Sequence, residues 1–115
     1  MKILNLNFAQ RLGLTNFLAQ ATGPLGKMIA LQRIYEAVRF SDAEMGQIKV
    51  TPMGGGLTNF EPPSLGFGHV QAAVEDGDAM VLQQEIEGCQ QFRLTDLGWV
   101  NHIKAELAKP GQLGR

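Results

Sequence analysis

The stretch Ser41–Pro52, SDAEMGQIKVTP, contains the change from helix to strand that decides the fold class. Its first four residues form a capping box, in which the Ser41 hydroxyl accepts from the amide of Glu44 and the Glu44 side chain accepts from the amide of Ser41. This box begins a short helix, which Gly46 ends. Ile48–Thr51 then alternates as a strand, and the following proline ends it. The sequence therefore predicts both helix and sheet in one small unit.

Apolar residues at helical spacing predict four further helices, at about residues 8–21, 26–40, 79–91 and 96–108. Asn7, Asp78 and Thr95 are the expected N-caps of the first, third and fourth of these. Residues 70–75 alternate as a second strand, which is predicted to pair with 48–51. The predicted fold is α+β and mostly α: a compact helical domain of about five helices with a small two-stranded β-hairpin.

The length of 115 residues fits a single domain spanning 1–115. Residues 52–69 are rich in Gly and Pro and are predicted to form one long loop between the two strands. A loop of this length in a small domain is usually functional or disordered. Residues 110–115 follow the last predicted helix and are expected to be a loose tail.

The composition predicts a cytoplasmic protein. A single cysteine, Cys89, closes no disulfide within the chain and is typical of a reducing compartment. The first eight residues, MKILNLNF, are too polar for a signal peptide. No run approaches the roughly 18 apolar residues that a membrane span needs, so no membrane association is expected.

Charge is separated along the chain. Residues 1–40 sum to +4, residues 41–96 to −7 and residues 97–115 to +2, around a formal net charge of −1. Such a separation either presents faces of opposite sign to different partners or is paired within the fold.

The residues that carry chemistry form no recognisable catalytic set. His69 and His102 are the only histidines and lie far apart in sequence, Cys89 falls on the predicted inner face of a helix, and Ser64 is in no nucleophile elbow. The glycine run at 54–56 lacks the lysine of a phosphate-binding loop. The sequence therefore predicts no enzyme, no cofactor and no metal site.

The order of elements resembles that of small helical proteins encoded in phage and prophage genomes. The order consists of two helices, the Ser41–Glu44 box, a hairpin, and a helix entered through acidic residues after Val74. Several proteins of this kind act by binding host proteins. The resemblance thus implies a binding protein rather than a catalyst.

We accordingly expect a non-enzymatic protein-binding module that blocks a host complex, with a defence or regulatory complex as one specific version. An acidic stretch would dock on a basic surface of the host protein, and aromatic residues would anchor the contact. A homodimer remains open as a further partner. The expected partner-binding residues are Glu75, Asp76, Asp78, Glu85, Glu87, Phe60, Phe67 and Trp99.

A small DNA-binding regulator is the alternative. Helix, turn, helix and hairpin in this order suit a winged helix, with Arg11, Lys27, Arg33 and Arg39 as phosphate contacts. Against it, the expected recognition helix begins with Asp42 and Glu44, and the isoelectric point of about 6.1 is far from basic. A subunit of a phage assembly is a third possibility.

Overall fold

The computed structural model of the chain describes residues 1–55, 57–89 and 91–109. In chain order the elements are as follows: β1 (Lys2–Leu6), α1 (Phe8–Ala19), α2 (Leu25–Val38), α3 (Asp42–Met45), β2 (Lys49–Gly54), β3 (Leu57–Glu61), β4 (Val70–Val74), α4 (Asp76–Gly88), a short 3-10 turn (Leu94–Asp96) and α5 (Leu97–Ala108). The mostly helical α+β class predicted from the sequence is confirmed. The predicted tail, 110–115, lies outside the described residues.

The strand pairing differs from the prediction. β1 pairs antiparallel with β4, Lys2 opposite Val74 and Leu6 opposite Val70. β2 pairs instead with β3, so the two strands predicted to form one hairpin belong to two separate two-stranded sheets. The prediction was wrong because β1 was not recognised as a strand, although Leu4 and Leu6 alternate with polar residues and are fully buried.

The predicted long loop, 52–69, is also corrected, since its first half is strand. Gly54 and Gly55 have φ values of +76° and +61°, and this left-handed backbone reverses the chain between β2 and β3. The true connection to β4 is therefore only residues 62–69.

The core lies between the β1–β4 sheet and the four long helices. α5 packs on α1 and β1, while α2 packs on α4 and β4. Leu4, Leu14, Ile34, Leu82 and Ile103 are among its fully buried side chains. One contiguous apolar cluster thus holds all four long helices against the small sheet.

Helix ends follow local chemistry. Asn7 caps α1 by a capping box with Gln10, and Ser41 caps α3 by its box with Glu44, as expected for both. α4 begins at Asp76, earlier than predicted, with Glu75 rather than Asp78 at the N-cap position. Thr95, the predicted N-cap of α5, lies instead within the 3-10 turn that precedes this helix. Asp96 occupies the N-cap position.

Candidate functional site: a projecting hairpin arm

The β2–β3 hairpin, residues 49–61, projects from the body of the protein and is called here the hairpin arm. β2 and β3 pack chiefly against each other, and no other described element packs extensively on either strand. The side chains of Val50 and Met53 are 51% and 64% exposed. The arm therefore presents apolar surface that the described body of the chain does not cover.

The register gives the hairpin arm two unlike faces. Cross-strand partners share a face, so Val50 and Phe60 lie together with Pro52 and Thr58. The opposite face carries the Lys49–Glu61 pair and the Thr51–Asn59 pair, with Asn59 Nδ2 donating to Glu61 Oε1 at 2.9 Å. As far as Pro52, one face is thus largely apolar and the other is polar. Met53 lies at an irregularity of the register between Pro52 and Gly54, which assigns it to neither face.

Arg11 holds the base of this arm. Its guanidinium forms a bidentate ion pair with Glu44, with Nη1 to Oε2 at 2.7 Å and Nη2 to Oε1 at 3.0 Å. Nη1 also donates to the carbonyl of Gly68 at 3.0 Å. Glu44 precedes the arm in sequence and Gly68 follows it, so one buried side chain fixes both ends of the segment that carries the arm.

Aromatic rings support the same base. Phe67 packs on Phe8 with ring centroids 6.3 Å apart, and Phe8 packs on Phe40 at 5.5 Å. The Arg11 guanidinium lies 4.3 Å from the centre of the Phe40 ring, a cation–π distance. Phe67, expected to touch a partner, is half-buried in this cluster, whereas Phe60 is half-buried on the arm itself.

The acidic stretch expected to dock on a partner is largely paired within the chain. Asp78 is buried and accepts from Arg33 at 2.8 and 2.9 Å. Glu85 lies 2.5 Å from the ammonium of Lys27. The remaining three are exposed: Asp76 pairs with the N-terminal ammonium, Glu87 accepts from Gln83, and Glu75 lies near Arg33.

These ion pairs set the protonation of the carboxylates. The Arg33 hydrogen bond holds the pKa of Asp78 below its ordinary value, against the effect of burial. The hydrogen bond from Arg11 likewise lowers the pKa of Glu44, with help from Ser41. Part of the charge separated along the sequence is therefore compensated by ion pairs inside the fold, which include Asp78 and Glu85.

The four basic residues of the DNA-binding alternative are used in the same ion pairs. Arg11 is buried on Glu44, Lys27 pairs with Glu85, and Arg33 with Asp78. Arg39 pairs with Glu36 at 3.0 Å. The expected recognition helix, α3, is a single turn of four residues held at its base by Arg11. Its length is too short to lie along a DNA groove, which a recognition helix must do.

Trp99 belongs to the interior rather than to a partner surface. Its side chain is 7% exposed and packs between Phe17 and Phe92, with ring centroids 5.5 and 6.0 Å away. Nε1 donates to Asp96 at 3.2 Å. Because both its apolar ring and its polar N–H are satisfied inside the chain, the expectation of an interface anchor is corrected.

A wide groove of about 1270 Å³ runs beside this aromatic trio, between α1, the start of α2 and the end of α4. Its lining mixes aromatic rings with polar side chains, including the Lys27–Glu85 pair and Cys89. Cys89 Sγ donates to the carbonyl of Gln91 at 3.3 Å. Among the residues that the structure describes, no three histidine, cysteine or acidic side chains are arranged to hold a metal ion.

Both histidines lie away from this groove. His69 is exposed at the end of the connection to β4, and His102 Nε2 lies 2.5 Å from the carbonyl of Asn5 on β1. No described helix has the length and apolar character that crossing a membrane requires. No protein-family model, curated protein or solved structure shows a significant match to this chain.

Sequence reasoning selected Phe60 of the arm but missed Val50 and Met53. The signal was present, since Lys49–Met53 and Leu57–Glu61 are two runs rich in strand-forming residues around a glycine turn. The proline within the first run and the three glycines were interpreted as loop, although an edge strand tolerates proline.

Proposed function

We propose that this chain is a non-enzymatic protein-binding module that docks through the exposed apolar side chains of its hairpin arm. The observation that carries the proposal is the exposure of Val50 and Met53, 51% and 64%, on a hairpin set apart from the core. Exposed apolar surface rimmed by polar residues marks sites of protein interaction.

The energetics of the arm support the same function. A two-stranded hairpin alone is marginally stable in water. No third strand of the described chain joins this hairpin, so the arm gains from packing on another protein. The Arg11 hydrogen bonds to Glu44 and Gly68 fix its base in advance. Fixing the base reduces the conformational entropy lost on binding.

The narrower form of the proposal is a phage-encoded protein that blocks a host complex, and its support is the resemblance in element order. In this form the arm replaces the acidic stretch as the docking surface. Reversing Asp78 or Glu85 would break ion pairs with Arg33 and Lys27, so such variants would test stability as well as binding.

The experiment is a tagged pull-down from bacterial lysate, with and without nuclease, read by mass spectrometry. The test variant is Val50→Thr with Met53→Gln. The matched control is Ile29→Thr with Met80→Gln, which removes apolar side chains of 42% and 62% exposure from the helices. We expect a stoichiometric partner that survives nuclease, is lost with the arm variant and is retained by the helix variant.

Equal capture by both variants would refute docking through the arm. Recovery that collapses after nuclease, with nucleic acid co-eluting, would instead support the DNA-binding alternative.

A further inference from the structure

The two outer edges of the hairpin arm differ in their hydrogen-bonding capacity. Pro52 pairs with Thr58, but proline has no N–H to donate. We therefore assign this pair to the non-hydrogen-bonded kind, with the Pro52 nitrogen facing away from β3. The irregularity of the register lies beyond this pair, between Pro52 and Gly54. The outer edge of β2 is thus interrupted at its middle.

The alternation of antiparallel pairs then fixes the outward groups of β3. The register is unbroken from Lys49 to Pro52, so with this assignment Thr51–Asn59 is a hydrogen-bonded pair and Val50–Phe60 is again a non-hydrogen-bonded pair. The N–H and C=O of Thr58 and of Phe60 consequently point away from β2. Among the described residues no third strand joins this sheet, so β3 presents two donors and two acceptors at strand spacing.

These outward groups form a self-complementary set. We propose that a second copy of this chain pairs with β3 in antiparallel register, with Asn59 opposite Asn59 of the other copy at the two-fold axis. Thr58 of each copy then forms a hydrogen-bonded pair with Phe60 of the other. Two hairpins become one four-stranded sheet, which meets the minimum of roughly three strands for independent stability.

Charge permits this self-pairing. Proteins commonly protect exposed strand edges with lysine or other charged residues, yet residues 50–60 carry no charge. Glu61 is the only charged residue of β3. In the proposed register the two Glu61 positions are about 14 Å apart, counting four residues at ~3.4 Å each. This separation exceeds the Debye length of about 8 Å at physiological ionic strength, so their repulsion is screened.

The pairing extends the polar and apolar faces across the axis, since side chains of paired residues share a face. The Val50–Phe60 face of one copy continues into that of the other. This proposal does not require the proposed foreign partner, because its occupant is the same chain and its contact is the strand edge rather than the exposed apolar side chains.

A disulfide across the axis tests the register. In a Cys89→Ser background, Asn59→Cys places two cysteines in a non-hydrogen-bonded pair, with Cα atoms about 4.5 Å apart, within the disulfide range. The matched control is Thr51→Cys, on the same face of the arm. Its two copies would be separated by three strand spacings, about 14 Å, beyond the reach of a disulfide.

We expect mild oxidation to convert the Asn59→Cys protein to a disulfide-linked dimer and to leave the Thr51→Cys protein monomeric. Equal linkage of both proteins, or linkage of neither, would overturn the proposed register.

Sedimentation equilibrium of the unmodified chain tests the assembly itself, with twice the monomer mass of 12.5 kDa as the expected limit at high concentration. Thr58→Pro removes an outward N–H, whereas Thr58→Val retains it. We expect only the proline variant to stay monomeric, with unchanged helical circular dichroism. A wild-type chain that is monomeric at every concentration, or a proline variant that still dimerises, would refute the proposal. Loss of the foreign partner in the pull-down would leave both results unaffected, so the two proposals fail separately.

Discussion

The guanidinium of Arg11 and the carboxylate of Glu44, 33 residues apart in sequence, form a bidentate ion pair with N–O distances of 2.7 and 3.0 Å. The same guanidinium donates through Nε to the carbonyl of Val38 at 2.6 Å and through Nη2 to that of Arg39 at 2.8 Å. Every donor nitrogen of this buried side chain has a partner. Arg11 therefore joins α1 to the end of α2, to α3 and to the base of the hairpin arm.

Replacing Arg11 with methionine should destabilise the fold by about 3 kcal/mol, because it leaves Glu44 and several backbone carbonyls without their donor. Urea denaturation followed by circular dichroism measures the loss. The control is Arg39→Met, which breaks the exposed pair with Glu36 and should cost about 0.5 kcal/mol. Equal losses for the two variants would show that burial of the Arg11 pair contributes nothing.

Local chemistry was predictable from the sequence. The caps at Asn7 and Ser41 depend on residues three positions away, and both were predicted with their helices. The Gly46 end of α3 was also predicted from neighbouring residues. Interactions within one helical turn do not depend on the tertiary fold. These boundaries could therefore be predicted from neighbouring residues, and the structure confirms them.

Long-range pairing was not predictable in the same way. Leu6 pairs with Val70, and Arg33 pairs with Asp78 45 residues away; no local pattern selects these partners. The charge separation in the sequence was compatible both with docking on a partner and with ion pairs inside the chain. The packing of α2 against α4 brings basic and acidic side chains together and so produces internal ion pairs. The choice of the arm as candidate site also needed the structure, because the exposure of a side chain depends on the whole fold.

Acid should destabilise the protein through Asp78 and Glu44. Arg33 lowers the pKa of Asp78, and Arg11 lowers that of Glu44. Because both pKa values are below those of the unfolded chain, their stabilisation is complete above the unfolded value of about 4. It is lost as pH falls through the folded values.

The free energy of unfolding, measured by urea denaturation between pH 7 and pH 2.5, should stay level and then fall below about pH 4. Asp78→Asn should lower the free energy of unfolding at neutral pH and should reduce the loss of that free energy on acidification. Glu87→Gln, which alters an exposed carboxylate that accepts a hydrogen bond from Gln83, should leave the curve unchanged. An Asp78→Asn curve parallel to the wild-type curve would contradict this account.

Glu106 and His102 close the free edge of β1 in place of a further strand. Glu106 Oε1 accepts from the Asn5 amide at 3.3 Å, and His102 Nε2 lies 2.5 Å from the Asn5 carbonyl. Burial raises the pKa of Glu106, but Lys109 and Asn5 outweigh it and leave that pKa lowered. An i,i+4 pair on α5 thus satisfies both backbone groups of one edge residue.

Glu106→Ala should speed hydrogen exchange at the Asn5 amide about tenfold, since losing a hydrogen bond to a charged group costs about 1.5 kcal/mol. Exchange measured residue by residue by NMR gives the readout. Lys104→Ala, an exposed change on the same helix, should leave that amide protected. Uniform acceleration across all amides would indicate global destabilisation and would contradict the local role of Glu106.

Gly13 allows Trp99 to approach the backbone of α1. A Cβ added at Gly13 would lie 2.3 Å from Trp99 Cδ1, and the indole is held by Phe17, Phe92 and its hydrogen bond to Asp96. Gly13→Ala should therefore cost about 1–3 kcal/mol from overpacking, although alanine favours helices. Urea denaturation followed by Trp99 fluorescence measures it.

The control for this change is Gly98→Ala in α5, next to Trp99 in sequence. A Cβ at Gly98 meets no atom within 4 Å, so only the helix propensity acts, and stability should rise by up to about 1 kcal/mol. The two substitutions should thus have opposite signs. A stabilising Gly13→Ala would mean that the indole moves aside freely and that the aromatic trio does not fix its position.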